Sequence, residues 1–297
     1  MTAACVMALG LGLVATGCSA GGSVNELDTR TPPTIASAPP PPVTGYDGLI
    51  GLPLSAYGTS EQDDHLLYRT NEALIARCMT GLGHRGYLSE RRPQSTSRTK
   101  SQREAVRPAG AWGYIGSATA ERLGFHVAVP VPKAKDPVGR ELKDYNTCWK
   151  RADKEIPSLA GTRGWKLAQD LFGRSFRQTA ADSRVKAARE RWATCMGEAG
   201  HPAGDPEKLA DGFLNAEKVT PREIDVATAA ESCTRSSRLA GIYFAVLTGY
   251  QRQLVSAHTD VLTGYQRQVR ERIERAEAIL SAHPTATHPS TPGGSAA

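Results

Sequence analysis

Aromatic residues make up only 6% of this 297-residue chain, and nowhere do β-branched and polar residues alternate over the length that a half-buried strand needs. A sheet-based fold is therefore disfavoured. The one β-like run, His126-Val127-Ala128-Val129-Pro130-Val131-Pro132, carries prolines that demote it to an extended loop or edge. No Cys-x-x-Cys occurs among the six cysteines, which argues against a redox pair. No His-Glu-x-x-His occurs either, so the zinc-protease helix is missing. The apolar run at the amino end, Val6 to Thr16, is about 11 residues long, whereas a membrane-spanning helix takes about 20.

That run closes on Val14-Ala15-Thr16-Gly17-Cys18, which is similar to the lipobox cut by the lipoprotein signal peptidase just before a cysteine. Ala15 stands where leucine is commonest, and no Lys or Arg precedes the cysteine to form a basic n-region. The expectation is a signal peptide over 1–17 and a lipidated Cys18, with the mature chain held on the outer face of the cell membrane. Two chemically separate acyl attachments would make that anchor stable. The alternative is an ordinary secretory signal with a secreted product. Residues 18–45 read as lipidated Cys18 plus a flexible linker, because Pro32-Pro33 and Pro39 to Pro42 favour extended polyproline conformation. At about 3.1 Å per residue such a tether reaches at most about 80 Å.

Residues 46–282 then suffice for one large or two small domains, and their pattern is helical. Ser60 caps a first helix whose apolar stripe is Leu67, Leu74, Ile75, Cys78 and Leu82, with Asp63 and Asp64 at its positive end. A second helix is expected to start at Asp136-Pro137 and to bury Leu142, Tyr145, Trp149 and Ala152. A third carries Trp165, Ala168, Phe172 and Phe176, and a fourth Val185, Ala188, Trp192 and Cys195. Thr220-Pro221-Arg222-Glu223 is a capping box that opens the last helix. If Gly241 does not break it, that element runs about 60 residues, some 90 Å at 1.5 Å per residue. Residues 283–297 read as a disordered tail.

Two repetitions organise this region. Val-Leu-Thr-Gly-Tyr-Gln-Arg-Gln occurs at 246–253 and again at 261–268. The shift of 15 residues turns the second copy about 60° from the first, so both can share a broad helix face. The duplication has either lengthened a surface helix or built a protruding coiled-coil arm. The second repetition pairs Ala76-Arg77-Cys78-Met79, then Gly83-His84, with Ala193-Thr194-Cys195-Met196, then Gly200-His201, each ending a helix with glycine in the left-handed position. Each copy is followed by a helix with a single cysteine, Cys148 or Cys233. Once Cys5 leaves with the signal and Cys18 takes lipid, four cysteines remain for an oxidising compartment. The repeat selects Cys78 with Cys148 and Cys195 with Cys233. The expected fold is thus all-α, a disulfide-stapled helical bundle of two related halves, about 46–157 and 158–282, with a long C-terminal helix.

The same segments carry a resemblance over Tyr46 to about Leu280. Gly51-Leu52-Pro53-Leu54, Ala76-Arg77-Cys78-Met79, Ala120-Glu121-Arg122-Leu123-Gly124-Phe125-His126, Trp192-Ala193-Thr194-Cys195-Met196, Ala230-Glu231-Ser232-Cys233 and Gly241-Ile242-Tyr243-Phe244-Ala245-Val246 resemble a family of uncharacterised secreted lipoproteins of actinobacteria, common in streptomycetes. Gly249-Tyr250-Gln251-Arg252-Gln253-Leu254 completes the match. His84 and His201 stand where the family more often has an aromatic residue, and the second Gly-Tyr-Gln-Arg string is additional. The resemblance implies an extracytoplasmic location and a helical fold; it implies no activity.

Sites for chemistry are few. Gly81-Leu82-Gly83-His84-Arg85-Gly86 has the glycine spacing of a dinucleotide site but closes a helix, where that motif must follow a strand and open one. His84 and His201 are read as cap-region histidines meeting helix carbonyls, since a metal needs three or four convergent donors. Asp63-Asp64-His65 reads as a solvated first turn. No cofactor and no metal are expected. Seven Lys or Arg from Arg85 to Arg107 face only Glu90 and Glu104. Arg91, Arg92, Arg98, Lys100 and Arg103 are candidate contacts for anionic headgroups or wall polyanions. With a net charge of +6 nucleic acid would be a conceivable partner, but an exported chain does not meet it. The expected function is a noncatalytic binding or structural module of the cell envelope, engaging a wall polymer or an envelope protein. The alternative is an envelope hydrolase acting on peptidoglycan through a carboxylate pair. Oligomeric state is left open.

Overall fold

The computed structural model describes residues 31–85, 87, 115–125, 137–213 and 219–282. The signal segment, Cys18, the run 126–132, the five candidate anion contacts and the tail 283–297 lie outside the described residues. Those described from Pro32 onward belong to one compact unit. It is all-helical, with ten α-helices and one 3-10 turn among the described residues.

The first helix pair forms around a covalent bond. α1 (Gly45–Ile50) and the 3-10 turn Pro53–Tyr57 lead into α2 (Glu61–Gly81). Ser60 caps α2 as expected: its Oγ accepts from the Asp63 amide at 3.1 Å while Asp63 accepts from the Ser60 amide at 2.8 Å, a complete capping box. After α3 (Ser117–Leu123), α4 (Gly139–Glu155) packs on α2 and is joined to it by Cys78–Cys148, with Cα atoms 5.5 Å apart. α4 begins later than the Asp136-Pro137 start, because Val138 before it is extended, at φ −129° and ψ 160°. Its buried row is also displaced. Cys148, Ala152 and Ile156 lie in the core with Leu67, Leu74, Ile75 and Met79, whereas Leu142 and Trp149 are 43% and 46% exposed. The bond at Cys148 sets the rotation of α4, and the next residue points about 100° away.

A second pair repeats the arrangement. α5 (Arg163–Ala181) is followed by α6 (Ser183–Glu198), the short α7 (Pro206–Asp211) and α8 (Pro221–Ser236). Cys195–Cys233 joins α6 to α8, again with Cα atoms 5.6 Å apart. Both α2 and α6 end in the same Schellman geometry: the amides of His84 and His201 donate to Met79 and Met196 carbonyls, those of Gly83 and Gly200 to Thr80 and Gly197, and both glycines have positive φ. Each bridge closes a long loop, of 70 and 38 residues' separation, so each contributes about 4 kcal/mol by the loop-entropy estimate.

The two halves nevertheless interleave. Leu52, Ile115, Ala120 and Phe125, from the first half, enter the core formed by α6, α8 and α9, while Ala276, near the chain's end, enters the core of α2 and α4. In the core of α6, α8 and α9 Trp192 is fully buried, its Nε1 donating to the Ala230 carbonyl at 3.3 Å. Thr220 caps α8 through the Glu223 amide at 3.2 Å. Glu223 departs from the expected box: its carboxylate accepts from the Phe125 amide at 2.8 Å, anchoring α3 instead.

The region expected as one long helix divides into three, α8, α9 (Leu239–Ala257) and α10 (Thr259–Ala282), the last being the long C-terminal helix. Gly241 does not break it. The first break falls at Arg238, φ +58°, after Ser236 and Ser237, whose hydroxyls bond back to the Cys233 and Thr234 carbonyls and so compete with helix continuation. No protruding arm results: Leu247 is fully buried in the core of α6, α8 and α9, and Leu254 and Leu262 against α5 and the 3-10 turn. The duplicated strings clamp that turn. Gln251 accepts from the Leu54 amide at 3.0 Å, and Gln266 donates to the Ala56 carbonyl at 2.8 Å.

The proline-rich linker is not free over its whole length. Its described part docks antiparallel to α9, with Pro33 and Pro39 buried and Arg184 donating to the Pro33 carbonyl at 2.8 Å. Glycines make room for it. A Cβ on Gly241 would stand 2.2 Å from the Pro39 oxygen, and one on Gly249 2.4 Å from the Pro33 Cβ. Gly264, the same position in the second string, has nothing within 4 Å. Gly249→Ala is therefore expected to lower stability by about 1–3 kcal/mol, and Gly264→Ala to raise it by up to about 1 kcal/mol. Urea denaturation of the two variants checks the opposite signs; equal stabilisation would mean the strap is not docked.

Candidate functional site

The conspicuous polar groups of the interior hold elements together. Glu223 and Glu231 lie on one face of α8, 0% and 6% exposed, and grip the two ends of the α3 segment. Glu223 takes the Phe125 amide, and Glu231 takes the Ser117 hydroxyl at 3.4 Å. Arg235 also donates to Ser117 Oγ. Eight residues apart, the two carboxylates are about 12 Å apart along the helix, beyond the separations used by glycosidases. Asp182, between α5 and α6, accepts from Arg184 at 2.7 Å and from the Tyr250 hydroxyl at 3.3 Å, and its carboxyl is held below its usual range by these partners against the opposing effect of burial.

The histidines of the repeated motif meet the carbonyls of their own helices through their backbone amides, while their rings meet a carboxylate on the disulfide-linked helix. His84 Nε2 lies 2.9 Å from Asp144 on α4, and His201 Nε2 3.1 Å from Asp225 on α8. No group of three or more His, Cys, Asp or Glu among the described residues is placed to hold a metal ion.

A site with exposed chemistry lies where α2, α4 and α10 converge, at the end of the first core. Each helix presents one row at i, i+3/i+4, i+7 spacing: Asp64, Leu67, Tyr68 and Asn71 from α2, Trp149 and Asp153 from α4 with Ile156 just past its end, and Tyr265, Val269 and Arg272 from α10. Two adjoining cavities of about 300 and 170 Å³ share Asp64, Ser158 and Arg272. Trp165, in the first turn of α5, walls the smaller one. Asp64 accepts from the Thr59 hydroxyl at 2.6 Å and Asp153 from the Ser158 amide at 3.4 Å. Arg272 is half-buried, and its Nε is buried without a hydrogen-bond partner. Burial pulls the guanidinium below its ordinary value, while Asp153 and Asp64 oppose the shift.

Of the residues singled out from sequence, Cys78, Cys148, Cys195 and Cys233 form the two bridges, whereas Asp64 is the one member of the Asp63-Asp64-His65 group that reaches the cleft. Trp149, expected in the core, is its exposed wall; a lone tryptophan between Cys148 and Lys150-Arg151 in a strongly polar helix was the available signal. Arg272 carries no such mark. No known protein family, curated protein or solved structure matches the chain, so the functional reading rests on these residues.

Burial raises the Glu231 carboxyl above its ordinary value near 4.5, with the charge of Arg235 and the Ser117 hydroxyl opposing it. A raised carboxyl favours the fold when protonated, so its stabilisation is complete below the unfolded value and is lost as pH rises through the folded one. Glu231→Gln is accordingly expected to gain stability over the natural chain as pH rises from 4 to 7, the two converging at lower pH. Thermal midpoints across that range test it; a constant difference would contradict it.

Proposed function

We propose that the chain is an exported lipoprotein, anchored through Cys18 to the outer face of the cell membrane, that serves as a noncatalytic binding module of the envelope. The apolar leader ending in Gly17-Cys18 and the linker after it support the anchor. Two disulfides formed by all four cysteines beyond Cys18 support an oxidising compartment. Among the described residues no helix is long and apolar enough to cross a membrane.

Docking of the strap bears on how such an anchor would work. With Pro33 packed on Gly249 of α9 and held by Arg184 of α6, the sequence between Cys18 and the strap is the 12 residues from Ser19 to Arg30, a length that spans at most about 40 Å. That is roughly half the reach of an undocked linker. So short a connection would keep the module close to the headgroups, for which Arg91, Arg92, Arg98, Lys100 and Arg103 are the candidate contacts, at about 1 kcal/mol per basic residue near an anionic surface.

The observation that carries the binding role is the cleft between α2, α4 and α10, where an exposed tryptophan and a half-buried guanidinium line one cavity. A hydrolase is the second reading, because Asp64 and Asp153 line the same cleft.

Cys18→Ser is expected to move the protein from the membrane fraction into the medium, read by fractionation and immunoblotting; retention in the membrane would contradict acylation there. Incubation with purified peptidoglycan should release no soluble fragments. Release that disappears in Asp153→Asn would favour the hydrolase.

A further inference from the structure

We infer that the cleft between α2, α4 and α10 is a saccharide site, taking one or two rings of a neutral glycan; this rests on the binding role proposed above and names its ligand. The cleft offers both kinds of polar partner at close quarters. Arg272 brings guanidinium donors, Asp64 and Asp153 bring acceptors, and Asn71 brings both. A polyanion would face two carboxylates and a cation would face the guanidinium. Neighbouring hydroxyls, each donor and acceptor at once, satisfy both without adding charge.

The walls fit the same class. Trp149 is 46% exposed and Tyr68 lines the cavity beside it. Such rings present an apolar face to the C–H side of a pyranose and leave its hydroxyls to the polar groups. The cavity's volume, about 300 Å³, is at the small end of ligand clefts, which span about 300–1,000 Å³, and it opens to solvent, as an internal unit of a longer polymer requires. Trp149 is held outward because Cys148 is bonded to Cys78, so the wall is in place before ligand arrives and little ordering cost attaches to binding.

The test titrates the full chain in detergent by calorimetry with neutral tetrasaccharides of N-acetylglucosamine, glucose, galactose or mannose, and separately with poly(glycerol phosphate). At least one neutral tetrasaccharide is expected to bind, with affinity falling about tenfold in Trp149→Ala and again in Arg272→Met, while the thermal midpoint of Trp149→Ala stays at the natural value. No binding of any tetrasaccharide, or an affinity unchanged in Trp149→Ala, overturns the inference, as does poly(glycerol phosphate) binding that Trp149→Ala abolishes. Sedimentation with purified cell walls separates this failure from failure of the binding role. Wall retention that no tetrasaccharide competes removes the saccharide site and leaves the module; absence of retention together with absence of saccharide binding removes both.

Discussion

Two sulfur–sulfur bonds set the geometry on which everything else in this chain depends. Each joins the last turns of one helix to the middle or end of another, and each thereby fixes not only distance but rotation. In a chain with few aromatic residues the apolar stripes are narrow, and narrow stripes specify rotation weakly. A covalent bond at one position of the helix removes that ambiguity. Because Cys148 must face Cys78, Ala152 and Ile156 face the core with it, and Trp149 is turned out of it.

The pairs do not stand alone. α3 and Leu52 are inserted into the core of the second pair, and Ala276 of α10 into that of the first, so each half is completed by the other. The proline strap and the 3-10 turn serve as connecting pieces. The strap sits on glycines of α9, and the turn is held by the equivalent glutamines of the duplicated string, Gln251 and Gln266. Duplication here has supplied a second clamp for one turn rather than an arm for a partner.

Much of this was legible in the sequence. Helix existence followed from caps such as Ser60 and from stripes such as Val185, Ala188, Trp192, and the disulfide pairing followed from a repeated Cys-Met and Gly-His spacing. The features that were not legible have tertiary causes. A glycine inside a helix reads as a weakness, and nothing local says that Pro39 or Pro33 lies against it. Glu223 three residues after Thr220 reads as a reciprocal cap, but a buried amide at Phe125 competes for its carboxylate. His84 and His201 read as caps for their own helices, and their rings find aspartates on the bonded neighbours. The cleft was invisible for the same reason: its rows come from three helices more than 200 residues apart at the extremes, and only the fold brings Asp64 to Arg272.

The central claim is that the chain is built from two helix pairs, each closed by its own bridge. Peptide mapping without reduction, on protein harvested from outside the cell that makes it, addresses that claim most directly. The account predicts two linked species, one joining the peptides of Cys78 and Cys148 and the other those of Cys195 and Cys233. A peptide linking Cys148 to Cys195, or four free thiols, would contradict it.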